Sequence, residues 1–136
     1  MRVISQKELT EKLFDHPYEN SPDYRAAMSV VDISSDGKLL IGYWHAPKGR
    51  VKLGYGENKE HIYIITGKLR MLSSDGGEIL AASGDTIQCG GKTEEIECII
   101  EEYVKALFIV YPQSEADLDF VHHIEALNGE LQFKVE

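Results

Sequence analysis

The feature that most restricts the fold of this chain is its punctuation. From residue 26 onward, short apolar runs alternate with turn formers at intervals of about eight to twelve residues. "AAMSVVDIS" precedes "SDGK", "LLIGYWHA" precedes "PKG", and "RVKLGY", "EHIYIIT" and "KLRMLS" come next. "DGG", "EILAA", "SGD", "TIQC", "GGK", "IECII" and "YVKALFIVY" complete the series. A run of about eight or nine short strands spaced in this way predicts an all-β sandwich or a closed barrel.

The flanks read differently. Ser5 followed by Glu8 makes a capping-box pattern and predicts a short helix over 6–14. Residues 16–24, "HPYENSPDY", read as loop. Pro112 ends the last strand. Beyond it, Leu118, Val121, Ile124 and Leu127 recur three apart and Gly129 can serve as a C-cap, which predicts a second short helix. Leu131, Phe133 and Val135 alternate as an edge strand would. With 136 residues and no linker or repeat, the expectation is one domain over 1–136, with its barrel core over about 26–112.

Composition narrows the partners. Fourteen basic against 23 acidic residues give a net charge of −9, which argues against nucleic acid, whose phosphates need a basic surface. A local lysine can still oppose that sign for a small anion. No apolar run reaches the roughly 18 residues of a membrane-spanning helix, and "MRVISQKELTEKLF" lacks the apolar core of a signal peptide. Cys89 and Cys98 are too few for a disulfide framework and lack zinc-ligand spacing. The expected setting is the cytoplasm.

Within "EHIYIITGKLRM", Glu60 shares a strand face with Ile62 and Ile64 by alternation, before Gly67-Lys68 breaks the run. An ionisable group on so apolar a face is costly unless it is paired, metal-bound or useful.

The order of strands and glycines over about residues 38–111 resembles the cupin superfamily, whose fold is a double-stranded β-helix or jelly-roll barrel. Its first motif ends in a Glu, six residues and a Gly, here Glu60, "HIYIIT" and Gly67. Its second opens on Gly-Asp in the turn before a strand, here Gly84-Asp85. "GYWHAPKGRVKLGYGENKE" is similar to the small cupins related to the ethanolamine-utilisation protein and the ureidoglycine-aminohydrolase domain. The matching positions are Gly42, Trp44, Gly49, Glu60 and, on the last strand, Lys105.

The departures are chemical. Metal cupins carry His-x-His shortly before the Glu, whereas "LGYGENKE" holds no histidine; the second motif lacks its Pro and its His, with Glu94 or Glu95 near that place. A metal held by imidazoles is therefore not expected, and no cofactor is assigned. A weaker carboxylate site using Glu60 with Glu94, Glu95 or Glu97 stays open, beside a purely solvated role for those acids.

The resemblance implies that Glu60 points into the barrel, where desolvation raises its pKa and makes it a candidate acid or base. It also favours an inward Lys105, paired with Glu60 or opposing a substrate carboxylate; the alternative is an outward lysine on apolar surface. Candidate substrate-binding residues are Trp44, Tyr55, Gln88 and Glu95. Only one of Tyr43 and Trp44 can line the cavity, and only one of Gln88 and Cys89. His122 and His123 diverge on a helix and fit surface or dimer contact, and His61 alternates away from Glu60. The expected function is binding of a small polar metabolite, with metal-independent acid/base chemistry of lyase, isomerase or hydrolase type. The alternative is a non-catalytic sensing or accessory cupin. A homodimer through the 130–136 edge is expected, since bare strand edges invite pairing.

Overall fold

The computed structural model describes residues 1–111 other than Pro17 and Glu19. The expected C-terminal helix and edge strand, with His122 and His123, lie outside the described residues. Among those described, one helix, α1 (Gln6–Glu11), precedes eight strands: β1 (Phe14–His16), β2 (Ala26–Ile33), β3 (Leu40–Tyr55), β4 (Lys59–Thr66), β5 (Lys68–Ser73), β6 (Glu78–Ala82), β7 (Thr86–Gly90) and β8 (Glu94–Tyr111).

The Ser5 hydroxyl accepts from the Glu8 N–H at 3.1 Å and starts α1 as the capping pattern requires. The helix is shorter than expected, because the chain returns to the sheet at once. Phe14, only 2% exposed, pairs with Met28, so packing into the core overrides helix propagation.

All the pairings among the described residues are antiparallel, and they form a jelly roll around one long pair of strands, β3 and β8. β3 pairs with β8 from Leu40–Val110 to Tyr55–Glu94, with a bulge between Pro47 and Gly49. The first half of β3 and the second half of β8 carry β2 and β4 on their flanks, and β1 and β7 extend that sheet outward. The other half of β8 pairs with β5, which pairs with β6. Pro47-Lys48-Gly49, expected as a turn between two strands, is therefore a corner within one strand. "IECII" and "YVKALFIVY" are likewise one strand, β8.

One face of each strand fills the interior. Leu40, Trp44 and Ala46 of β3 and Val104, Ala106, Phe108 and Val110 of β8 are buried, as are Ile62 and Ile64 of β4 and Ile87 and Cys89 of β7. Gly42 makes room for Phe108: a Cβ there would lie 2.5 Å from the ring. Gly67 has φ +90°, and a Cβ would meet the Tyr103 carbonyl oxygen at 2.0 Å, so this position needs glycine on both counts. The Gly84-Asp85 turn is anchored on β4: Gly84 N–H donates to the Ile64 carbonyl at 2.8 Å, and Ile64 N–H to the Asp85 carbonyl at 3.0 Å. The two sequence motifs are thus bonded to each other by backbone. No helix among the described residues is long and apolar enough to cross a membrane.

Candidate functional site

Glu60 lies opposite Cys89 of β7 on one side and Val110 of β8 on the other. In an antiparallel ladder, paired residues share a face, and both partners are core residues. Glu60 therefore faces the interior. The residue keeps part of its surface exposed, so it sits where the interior opens, although protein packs closely around its carboxyl. Burial raises its pKa from 4.5 to about 7, and a hydrogen bond from the Tyr55 hydroxyl partly opposes that rise. Near neutrality this acid exists in both forms.

Its neighbours hold their protons. Burial first, and the Glu60 charge second, push the Tyr55 hydroxyl well above the usual phenol range. The same causes in the same order push the Cys89 thiol up to about 12 and raise the Cys98 thiol. Cys89 donates weakly to the Glu60 backbone carbonyl at 3.9 Å. A thiol this far from its thiolate is a poor nucleophile at neutral pH. Tyr18 accepts from the Trp44 indole N–H at 2.7 Å, deep in the core, and burial raises its hydroxyl too. Among the groups of this cluster, Glu60 is the one able to exchange a proton near neutral pH.

The expected site residues divide between the two faces of the barrel wall. Trp44, Tyr55 and Glu60 all face the interior, where Tyr55 bonds Glu60 and Trp44 bonds Tyr18. Gln88 does not: it is exposed and pairs with His61 on the outside, while Cys89 takes the inward position. Glu95 is exposed beside Gly54, and it is Glu94, opposite buried Tyr55, that turns inward and accepts from the Gly90 N–H at 3.4 Å. Glu97 also turns outward, in an ion pair with Arg50 at 2.9 Å.

Lys105 overturns the expected pairing. It alternates with buried Val104 and Ala106, pairs with His45 and Thr66, and sets its ammonium 5.5 Å from the Tyr43 ring centroid on the outer face. Val110, the partner of Glu60, lies five positions further along β8, a distance of roughly 17 Å along the strand. With the sheet between them as well, no Glu60–Lys105 ion pair forms. Lys105 instead adds to burial in lowering the His45 pKa, and the His45 ring bonds the Tyr103 hydroxyl at 2.7 Å. A second outer pair joins His61 and Tyr111.

Tyr18 and Cys98 are the inward groups that sequence reasoning passed over, and Glu94 was named there only beside Glu95 and Glu97 as a carboxylate for a weak metal site. For Tyr18 no signal existed, since it sits in the stretch read as loop. Among the described residues the imidazole metal centre of metal cupins has no counterpart here: the inward positions of the second half of β3 are Val51, Leu53 and Tyr55, with no histidine. No group of three or more His, Cys, Asp or Glu that could hold a metal occurs among the described residues.

No family model and no curated protein matches the chain. Solved structures do. An ethanolamine utilization protein Q from Salmonella typhimurium is 16% identical, with a TM-score of 0.62 over 74% of this chain and 80% of that one. Ectoine synthase from P. lautus is 15% identical, with a TM-score of 0.66 over 82% and 78%. A protein from Thermotoga maritima described as a predicted oxalate decarboxylase is 15% identical, with a TM-score of 0.64 over 81% and 98%. Identities this low speak to the fold, and the fold is that of the small cupins.

Proposed function

We propose that this cupin barrel binds a small polar metabolite at Glu60 and that Glu60 acts on it as proton donor or acceptor, without a metal held by imidazoles. The observation that carries the reading is a desolvated carboxyl with a pKa near 7, on a residue that keeps part of its surface exposed and has no cation beside it among the described residues. A carboxyl in that state can both give and take a proton at neutral pH, which suits lyase, isomerase or hydrolase-type proton transfer. Tyr55 positions the carboxyl by its hydrogen bond, and Trp44 forms part of the aromatic wall.

The charge pattern bears on the ligand. With Lys105 outside and Glu94 inside, the described part of this interior is acidic. It therefore favours a neutral or cationic ligand rich in N–H or O–H donors over a carboxylate. The free thiols of Cys89 and Cys98 support a reducing, cytoplasmic setting.

The test is a thermal-shift screen of small amines, polyols and carboxylic acids on wild type and Glu60→Gln, followed by product analysis of the hits. Stabilising amines or polyols that lose their effect in Glu60→Gln support the site; equal shifts in both proteins overturn it. Conversion of a hit with a rate midpoint near pH 7 supports catalysis. Binding without conversion selects the sensing or accessory reading, which the closely packed core around the cluster also favours.

A further inference from the structure

Between β1 and β2 the chain sends Tyr18 and Tyr24 into the interior. Past its corner, β3 pairs only with β8 among the described residues, and its other edge takes this segment: the Lys52 N–H donates to Ser21 Oγ at 2.9 Å. The Tyr24 hydroxyl donates to the Pro47 carbonyl at 2.7 Å, and its ring lies 2.8 Å from where a Cβ at Gly49 would be. Tyr18 packs edge-on against His16 and tilts against Tyr24, with ring centroids 4.7 and 5.9 Å apart. Its hydroxyl is thereby set against Trp44 inside the barrel.

That hydroxyl has a donor to spare. An indole N–H can only donate, so the Tyr18 oxygen accepts the 2.7 Å bond from Trp44 and the phenol proton points elsewhere. No acceptor for that proton occurs among the described residues. A buried donor without an acceptor is costly, and Tyr18 is only 9% exposed. Glu60 is within electrostatic reach: burial raises the Tyr18 hydroxyl, the Trp44 bond partly opposes this, and charge on Tyr24, Glu60 and Cys98 adds to the rise. Glu60 lies opposite Val110, and Trp44 lies opposite Ala106, four positions nearer the corner. The Tyr18 hydroxyl therefore sits on the corner side of Glu60, at the inner end of the same interior.

We propose that Tyr18 is a ligand-binding residue of the Glu60 site, its O–H donating to an acceptor oxygen of the bound molecule while an N–H or O–H of that molecule meets Glu60. This assignment rests on Glu60 as the ligand's other contact, and it narrows the ligand class. The bound molecule is a short chain with a donor at one end and an ether, hydroxyl or carbonyl oxygen at the other. Tyr18 then sets specificity, because a molecule without that oxygen leaves the buried donor unpaired.

Methoxyalkylamines with two, three or four carbons between nitrogen and oxygen isolate the acceptor when each is paired with the alkylamine that has a methylene in place of the oxygen. Calorimetric titration of wild type is expected to find a length at which the ether binds at least about fivefold tighter, although the methylene is the more hydrophobic group. In Tyr18→Phe that preference should vanish or invert while the alkylamines bind as before. In Glu60→Gln both members of the pair should weaken and the preference should remain. Because Tyr18→Phe strips the Trp44 N–H of its acceptor, its fold is checked by circular dichroism, and a wild-type readout stands beside it. The ζ-carbon resonance of Tyr18 should move with the preferred ether and less with its isostere. Equal affinities at every length in wild type, or no binding of any ether, overturn the proposal. So does a preference that survives in folded Tyr18→Phe. Alkylamines that bind wild type but not Glu60→Gln, with no preference for the ether, would remove Tyr18 from the site and leave Glu60 in it.

Discussion

The inner and outer faces of the β3–β8–β4 sheet are built from neighbouring residues and behave as different solvents. Inside, Glu60 has no cation beside it among the described residues and its pKa climbs to about 7; Tyr55 and Cys89 beside it stay protonated. Outside, Lys105 rests against Tyr43, His45 bonds Tyr103, and His61 bonds Tyr111. Each of these outer groups has a partner and keeps part of its surface in water. One step along a strand decides between these situations. A carboxyl left inside without a counter-charge is costly to the fold, and its retention there is the strongest pointer to use.

The sharpest way to break this contrast is to move a charge by one position. Val104 is fully buried, and Lys105 next to it is not. Val104→Lys is expected to cost about 4 kcal/mol or more, or to abolish cooperative folding, because the ammonium enters the core without a partner. Lys105→Ala is expected to cost about 1 kcal/mol or less. Urea unfolding of both proteins decides the matter: similar midpoints would mean that the faces have been assigned the wrong way round.

A smaller effect sharpens the inner side. Glu60 has a folded-state pKa of about 7 against 4.5 unperturbed. Between those values the folded state holds a proton that the unfolded state has released, so stability is fullest below about pH 4.5 and falls as pH rises through 7. Glu60→Gln removes that slope. It should match wild type near pH 4 and exceed it at pH 8 by up to about 3 kcal/mol. Equal stability at both pH values would place the carboxyl in water.

Much of this contrast was legible in the sequence, and the failures have a common physical cause. The barrel followed from the spacing of turn residues, and the inward Glu60 from its alternation with Ile62 and Ile64 against polar or exposed neighbours. β8 offers no such contrast. Leu107 and Ile109 on its outer face are as apolar as Ala106 and Phe108 inside, so periodicity could not say which way Lys105 turned. Glu94 and Glu95 are chemically alike and adjacent, and only the pairing with Tyr55 and Gly54 separates them. Gln88 and Cys89 were open alternatives, resolved when Cys89 was found opposite Glu60. Pro47-Lys48-Gly49 has the residues of a turn, yet the pairing with β8 resumes beyond it.

Subtler changes should leave the two faces independent. Tyr55→Phe removes the hydrogen bond that lowers the Glu60 pKa and should raise it further, by about half to one pH unit. Lys105→Ala should bring the His45 pKa back toward its ordinary value and leave Glu60 where it was. Titrations by nuclear magnetic resonance read both; a Glu60 midpoint that moves with Lys105 would couple the faces that the strand register separates.

The central claim is that Glu60 is an interior acid poised at neutrality. The most direct measurement is the pH titration of its side-chain carboxyl carbon in the wild-type protein, assigned by comparison with Glu60→Gln. A midpoint near 7, well apart from the other glutamates, is the predicted result. A midpoint near 4.5, within the envelope of the surface glutamates, would contradict it.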